Sequence, residues 1–110
     1  MTAYGVTPPM SEDQLLTAVL DLAAVLHWRC LHIRPARTAR GWASAVQADG
    51  VGWPDVFLVR RDRALAFELK SPTGRVSPEQ VRWLADLNAA GIPARVMRPA
   101  DWPTIVKLLR

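Results

Sequence analysis

Residues 52–70 read Gly-Trp-Pro-Asp-Val-Phe-Leu-Val-Arg-Arg-Asp-Arg-Ala-Leu-Ala-Phe-Glu-Leu-Lys, and the rest of the chain is arranged around them. Two short apolar runs, 56–60 and 64–69, are separated by the charged pair Arg61-Asp62. This pattern predicts two antiparallel strands joined by a turn. Because Arg-Asp is not a favoured two-residue hairpin loop, a four-residue loop over 60–63 in the same register is the alternative.

Three charged side chains meet at the open end of this predicted hairpin. A turn centred between Arg61 and Asp62 places Asp55 opposite Glu68, and Lys70 shares a face with Glu68 because side chains alternate along a strand. Opposed residues have Cβ atoms about 4.5–5.5 Å apart, close enough for two carboxylates to share a divalent cation. The alternative is a structural ion pair with Lys70 at the rim of a sheet, which explains the charges but not their convergence.

The order and spacing of these residues resemble a nuclease pattern. Pro54-Asp55, a hairpin and Glu68-Leu69-Lys70 resemble the PD-(D/E)XK nuclease superfamily. An isolated Asp…Glu-x-Lys is common by chance, but a longer run of matches, from about residue 11 to 101, is similar to the virus-type replication-repair nuclease (VRR-NUC) domain. The matching segments are Gly52-Trp53-Pro54-Asp55, Phe67-Glu68-Leu69-Lys70-Ser71, Gly74-Arg75-Val76-Ser77-Pro78-Glu79-Gln80 and Ala90-Gly91.

The resemblance implies an α/β fold with an αβββαβ core, a mixed sheet flanked by helices and a closing C-terminal helix. It also implies a phosphodiesterase site with Asp55, Glu68, Lys70 and Gln80 as the catalytic group. Mg²⁺ or Mn²⁺, which oxygen ligands favour over zinc, would be held by Glu12, Asp55, Glu68 and the backbone carbonyl of Leu69. An ammonium group is not a base at its ordinary pKa, so we expect Lys70 to stabilise the transition state electrostatically.

Two capping boxes predict where helices begin. Ser11-Glu12-Asp13-Gln14 opens a helix whose apolar stripe is Leu15, Leu16, Val19, Leu22, Ala23 and Leu26. Ser77-Pro78-Glu79-Gln80 opens another, which Gly91 ends, and a strand over 93–97 and a helix over 100–109 follow. Gln80 therefore has a local capping role beside its implied catalytic one. Glu12 likewise has a helix-dipole role beside metal binding.

The first half of the chain contains the predicted DNA-binding side chains. A strand is predicted over 29–34, and an irregular segment over 35–51 is either a functional loop or an irregular helix around 43–48, with a solvated loop as an equal alternative. Cys30 and His32 share a strand face but lack the ligand set and spacing of a structural zinc site. We expect DNA contacts from His32, Arg34, Arg37, Arg40 and Arg75.

Composition sets the remaining limits. Half of the 110 residues are hydrophobic, which predicts one small domain over 11–110 after a mobile arm at 1–10. The single cysteine excludes an internal disulfide and fits a reducing, cytoplasmic location, and the resemblance adds a phage or bacterial context. No apolar run reaches the ~20 residues of a membrane span and nothing resembles a signal peptide. A formal net charge of +4 fits a polyanionic partner.

Together these features predict a Mg²⁺-dependent, structure-specific DNA endonuclease that resembles Holliday-junction resolvases and acts on branched DNA as a homodimer. Apolar surface from Trp42, Trp102 or the closing helix is the expected dimer contact. The alternatives are a nuclease of simpler specificity, which nicks or cuts flaps or single strands, and a catalytically silent DNA-binding module.

Overall fold

The computed structural model describes residues 11–33, 36–38, 41–43 and 47–110, with only the backbone described for 36–38 and 41–43. In chain order, the elements are α1 (Glu12–Val25), β1 (Arg29–His32), β2 (Ala36–Thr38), β3 (Gly41–Ala43), β4 (Val56–Arg60), β5 (Arg63–Leu69), α2 (Pro78–Ala89), β6 (Ala94–Met97), a 3₁₀ turn (Pro99–Asp101) and α3 (Trp102–Leu109). The predicted α/β fold with a mixed sheet and a closing helix is confirmed.

Four strands form the main sheet in the order β1-β4-β5-β6. The first three are antiparallel and β6 runs parallel to β5, so the C-terminal ends of β5 and β6 meet at one edge. Val56 pairs with Phe67 and Arg60 with Arg63, which is the predicted register. The loop has two residues rather than four, because Arg61 adopts the left-handed backbone (φ 58°) that such tight turns need at their first position.

The sheet is covered on both faces because its side chains alternate. Helices α1 and α3 pack on the face that presents Val56, Leu58, Leu65, Phe67 and Leu69, and this forms the main core. Helix α2 packs on the other face, over Ala66 and Ala94, with Leu87 as its buried residue. Glu68 follows Ala66 by two positions in β5 and therefore faces α2.

Several predictions need correction. The strand predicted over 29–34 ends at His32, β5 begins one residue earlier than expected, and the strand over 93–97 begins at Ala94. The segment predicted as a loop or an irregular helix contains the hairpin β2–β3, so Ala43 ends a strand instead of starting a helix. The closing helix begins at Trp102, after the 3₁₀ turn.

Burial also overturns a predicted surface. Trp102, expected at a dimer contact, is 1 % exposed and belongs to the main core with Ile105, Val106 and Leu109 of α3. The closing helix therefore buries its apolar face inside the domain. Trp42 lies outside the side chains that the structure describes. Among the described residues, no helix is long and apolar enough to cross a membrane.

A cluster around Trp28 fixes α3 to the sheet. Trp28 is buried and its Nε1 donates to the carbonyl of Leu109 at 2.8 Å. The guanidinium groups of Arg60 and Arg63 lie over its ring, 4.5 and 5.0 Å from the centroid. Both arginines also donate to carbonyls at helix ends, namely Leu26, Leu108, Leu109 and Arg110. Cations at helix C-termini are favourable, so this cluster stabilises the ends of α1 and α3.

Candidate active site

The two predicted carboxylates lie side by side at the open end of the β4–β5 hairpin. Asp55 precedes β4, and its Oδ2 accepts the backbone N–H of Leu69 at 2.8 Å. This bond spans the hairpin and holds the Asp55 side chain beside Glu68. Glu68 is 2 % exposed and is the buried charged residue of the described chain. The predicted pairing is therefore present in the structure.

Two side chains contact one oxygen of Glu68 and leave the other without a partner. Gln80 Nε2 donates to Glu68 Oε2 at 3.0 Å, and Lys70 Nζ lies 3.4 Å from the same oxygen. Glu68 Oε1 is buried and has no hydrogen-bond partner among the residues that the structure describes. A buried carboxylate oxygen without a partner is costly, so its place in a native fold needs an explanation such as a proton or a bound cation.

Gln80 joins the helix to this carboxylate. Its Oε1 accepts the backbone N–H of Ser77 at 2.9 Å while its own N–H donates to the Ser77 hydroxyl, which completes the predicted capping box. The capping bond fixes the amide so that Nε2 points at Glu68. The predicted capping box is confirmed, and the amide also makes a contact with Glu68 that the sequence did not predict, because it has both an acceptor and a donor. The catalytic role of Gln80 stays a prediction.

The burial of Glu68 changes its ionisation. The pKa of Glu68 is raised from its ordinary 4.5 to about 8, mainly by burial and also by the neighbouring Asp55 carboxylate. The nearby Lys70 ammonium acts in the opposite direction and offsets part of the effect. At neutral pH the Glu68 carboxyl group therefore favours either a bound proton or a metal cation beside it.

A divalent cation fits this donor set. Asp55 and Glu68 offer carboxylate oxygens, the ligands that Mg²⁺ prefers, and Glu68 Oε1 is the atom that lacks a partner. Glu12 is exposed in the first turn of α1, and the described residues contain no cluster of three or more His, Cys, Asp or Glu placed to hold a metal. Ligation by Glu12 and by the Leu69 carbonyl stays a prediction.

The predicted DNA-binding residues divide into two groups. His32 lies beside the site, with its Nδ1 donating to the Asp55 carbonyl at 2.9 Å, and Arg75 is exposed in the loop before α2. The carbonyl accepts only, so the proton is on Nδ1 and the imidazole positions the Asp55 backbone. The side chains of Arg34, Arg37 and Arg40 lie outside the part that the structure describes.

The Gly-Trp-Pro-Asp segment fixes the site to α2 by close packing. Gly52 has a φ of 89°, and a Cβ there would lie 2.6 Å from the backbone carbon of Glu79. A glycine is therefore required for this approach. Trp53 packs against Phe57 and Trp83 with ring centroids 5.5 and 5.0 Å apart. These contacts hold the start of β4 near the first turn of α2, which contributes Gln80.

Sequence reasoning missed Arg98, which holds the loop that follows Lys70. Arg98 Nη1 donates to the carbonyls of Ser71 and Gly74 at 2.7 and 2.9 Å. Its backbone N–H donates to Asp101, and the Lys70 N–H donates to the carbonyl of Met97. The signal that could have located it is the parallel pairing of β5 and β6, which places the residues after both strands at one edge.

We expect Arg98→Ala to lower the free energy of unfolding by about 1.5–3 kcal/mol, because hydrogen bonds from a charged donor to two part-buried carbonyls are lost. The measurement is chemical denaturation. Arg95→Ala removes an exposed arginine from the neighbouring strand and should stay within about 0.5 kcal/mol of the wild type. Equal losses in both variants would show that the loop does not depend on Arg98.

Comparison with known proteins identifies the family and supports the fold. A family model of the VRR-NUC domain matches residues 14–101, which include all four residues of the Asp55–Glu68–Lys70–Gln80 group. The chain belongs to the VRR-NUC domain family. A solved structure described as a VRR_NUC domain protein shares the fold, with a TM-score of 0.59 and 20 % identity over 88 % of this chain and 85 % of that chain. No curated protein sequence matches the chain.

Membership in the VRR-NUC family places the chain among nucleases of the PD-(D/E)XK type, with DNA as the substrate class. The paired carboxylates, Lys70 and Gln80 lie within the matched residues, and their catalytic role stays a prediction. Glu12, at the start of α1, falls just before the matched residues.

Proposed function

We propose that this VRR-NUC domain is a Mg²⁺-dependent, structure-specific DNA endonuclease of the Holliday-junction resolvase kind. The observation that supports this most is the buried Glu68 Oε1, which has no partner although it lies beside Asp55, Lys70 and Gln80. A structural ion pair would satisfy both oxygens or place them in solvent. A cation-binding carboxylate leaves one oxygen free for the ion.

Each side chain has a part in phosphodiester hydrolysis. Asp55 and Glu68 would hold the cation, with Glu12 and the Leu69 carbonyl as further ligands. When bound, Mg²⁺ screens the charge of the phosphate and lowers the pKa of a coordinated water. The Lys70 ammonium lies beside Glu68 and stabilises the negative charge that develops on the phosphate oxygens. Gln80 orients Glu68, and His32 holds the backbone of Asp55.

The resolvase specificity rests on symmetry. Symmetric resolution of a four-way junction requires two cuts on opposing strands, but each chain contributes a single group of Asp55, Glu68 and Lys70. Two copies related by a two-fold axis supply two sites, and closed two-fold dimers are the commonest homo-oligomers. The buried position of Trp102 removes one expected contact, so the dimer would use another surface.

A cleavage assay tests this proposal. The substrates are a four-way junction, a flap, a nicked duplex, an intact duplex and a single strand of matched sequence, each with Mg²⁺ and with EDTA. We expect paired cuts in the junction with Mg²⁺ and no cleavage with EDTA, together with a homodimer by light scattering at micromolar concentration. An Asp55→Asn protein purified in parallel excludes a contaminating nuclease.

Three outcomes separate the alternatives. A strict monomer, still monomeric on the junction, that cuts flaps or single strands would replace the resolvase by a nuclease of simpler specificity. Tight DNA binding without cleavage in any metal would indicate the silent binding module. Cleavage at equal rates in EDTA would contradict the metal site.

A further inference from the structure

A basic groove lies at the end of the sheet opposite to Asp55. It has a volume of about 610 Å³ and runs between the C-terminal turn of α1 and the far end of β4. We call it the distal groove, and its polar lining consists of His27, Arg29, Arg60 and Arg61. Its remaining lining is apolar, from Val25, Leu26 and Val59, and no carboxylate contributes to it.

The cations of the distal groove differ in how they are held. Arg60 is fixed, because it donates to the carbonyls of Leu26 and Leu109 and lies over Trp28. Arg29 and Arg61 are exposed, and among the described residues neither makes an ion pair. The nearest acid in sequence is Asp62, beside Arg61. Two uncompensated guanidinium groups and a fixed third one form a concentrated positive surface, which attracts a polyanion.

The backbone of the distal groove is unusual. His27 and Arg61, with φ values of 64° and 58°, are two of the three non-glycine residues with positive φ in the described chain. Positive φ at a hairpin turn favours Asn, Asp or Gly, and an arginine is a costly choice there. Both residues nonetheless direct charged or titratable side chains to one groove. The positive φ of His27 has a local cause, because His27 is the residue after the C-cap of α1 in a motif where the Trp28 N–H donates to the Ala23 carbonyl. The costly choice is therefore Arg61, and strained positions of that kind are enriched where a side chain has a function.

Exposed side chains of the sheet lie between the distal groove and the active site. Arg29 pairs with Val59 and Leu31 with Phe57, so these side chains share the face on which Asp55 and Glu68 lie. Helix α2 covers β5 and β6 on this face, and Phe57 of β4 packs into the same cluster. Leu31 and Val59 on the same face are 52 % and 38 % exposed. Arg60 is five positions after Asp55, a distance of about 17 Å along a strand.

We propose that the distal groove binds the phosphate backbone of a duplex arm, about five base pairs from the phosphate that is cut. The spacing follows because about 17 Å along the sheet corresponds to five steps of about 3.4 Å in B-form DNA. The free Arg29 and Arg61 guanidinium groups are suited to phosphate oxygens. This inference rests on the proposed nuclease function and adds a second anchor, which fixes the direction of the arm relative to Asp55.

The test compares two double variants with equal loss of charge. Arg29→Gln with Arg61→Gln removes the free cations of the distal groove, and Arg82→Gln with Lys107→Gln removes two exposed cations from α2 and α3. Binding to a labelled four-way junction is measured by anisotropy in EDTA at several salt concentrations. Each lost phosphate contact reduces the slope of log affinity against log salt concentration by about 0.9. The groove variant should lose two such contacts, so between 50 and 200 mM salt the affinity of the wild type should fall about twelvefold more than that of the groove variant. The salt dependence of the control variant should lie closer to that of the wild type than to that of the groove variant.

A chemical substitution in the DNA locates the contact. A neutral methylphosphonate is placed at successive positions along one arm, counted from the cut that the wild type makes. Substitution four to six nucleotides from the cut should weaken wild-type binding but leave the groove variant unaffected, since the same contact is already lost.

The outcomes distinguish this inference from the proposed function. In one outcome the wild type binds and cuts DNA while the groove variant and the control show the same salt slope and the same sensitivity to methylphosphonate position. In that outcome the protein is a nuclease but the second anchor does not exist. If the groove variant changes the oligomeric state by light scattering, the distal groove is an interface between copies and the DNA assignment is overturned. If the wild type neither binds nor cuts DNA, the proposed function itself fails.

Discussion

Glu68→Gln is expected to reduce cleavage at least about a thousandfold while leaving DNA binding unchanged or tighter. Cation stabilisation of a phosphoryl transition state is worth several kcal/mol, and each 1.36 kcal/mol is a factor of ten in rate. The amide is nearly isosteric, so its oxygen can take the place of Oε2 towards Gln80 and Lys70. Binding is retained because the glutamine amide is neutral, so the change adds no negative charge that would face the phosphate. Single-turnover cleavage with Mg²⁺ and anisotropy in EDTA provide the two measurements.

Asp55→Asn is the matched variant on the opposite strand, with the same expected loss of cleavage. The amide oxygen can still accept the Leu69 N–H, so the hairpin end should remain folded. Loss of activity in both isosteric variants, with unchanged circular dichroism, would assign the effect to the carboxylates themselves. Wild-type cleavage rates in both variants would show that the site lies elsewhere.

Glu68→Gln should also make the metal-free protein more stable than the wild type at high pH. In the folded state the pKa of Glu68 lies at about 8, above its ordinary 4.5, so the folded chain keeps a proton that the unfolded chain releases. This contribution is complete below pH 4.5 and is lost as the pH rises towards 8. The loss is on the order of a few kcal/mol, and a glutamine that does not titrate avoids it.

Chemical denaturation in EDTA at pH 5, 7 and 9 measures this effect. The wild type should lose stability relative to Glu68→Gln as the pH rises, and Mg²⁺ should restore the wild type alone. Parallel stability curves for the two proteins would mean that Glu68 ionises in the folded chain as it does in the unfolded one.

Trp28→Ala is expected to lower the free energy of unfolding by about 3–5 kcal/mol, the range for a buried aromatic residue replaced by alanine. Trp28 is 5 % exposed, its Nε1 donates to Leu109, and its ring supports Arg60 and Arg63. The total stability of a small domain is about 5–15 kcal/mol, so this loss is a large part of it. Thermal unfolding should show a decrease in Tm of at least about 10 °C.

Two variants show which part of Trp28 matters. Trp28→Phe keeps an aromatic surface for the arginines but removes the N–H, so it should cost about 1–2 kcal/mol. Trp83→Ala truncates a half-buried tryptophan on α2 and should cost less than Trp28→Ala. If all three variants unfold at similar temperatures, the cluster does not hold α3 in place.

Local chemistry determined much of this molecule from the sequence. The charged turn centred between Arg61 and Asp62 fixed the hairpin register, and the alternation of side-chain direction along each strand then fixed which residues share a face. Ser11 with Gln14 and Ser77 with Gln80 fixed the starts of α1 and α2, since capping boxes involve residues only three apart. The positions of Asp55, Glu68 and Lys70 follow from the same alternation.

Only the tertiary structure decided how that site is completed. The bond from Gln80 to Glu68, the clamp of Arg98 on the loop after Lys70 and the burial of Trp102 all join elements distant in the chain. The sequence carries no period or spacing that specifies them, because they depend on how helices pack on the sheet. Glu68 Oε1 is likewise left without a described hydrogen-bond partner because residues distant in the chain bury it. The sequence thus determined which residues meet on one strand end, and packing decided which of their atoms are left free to bind.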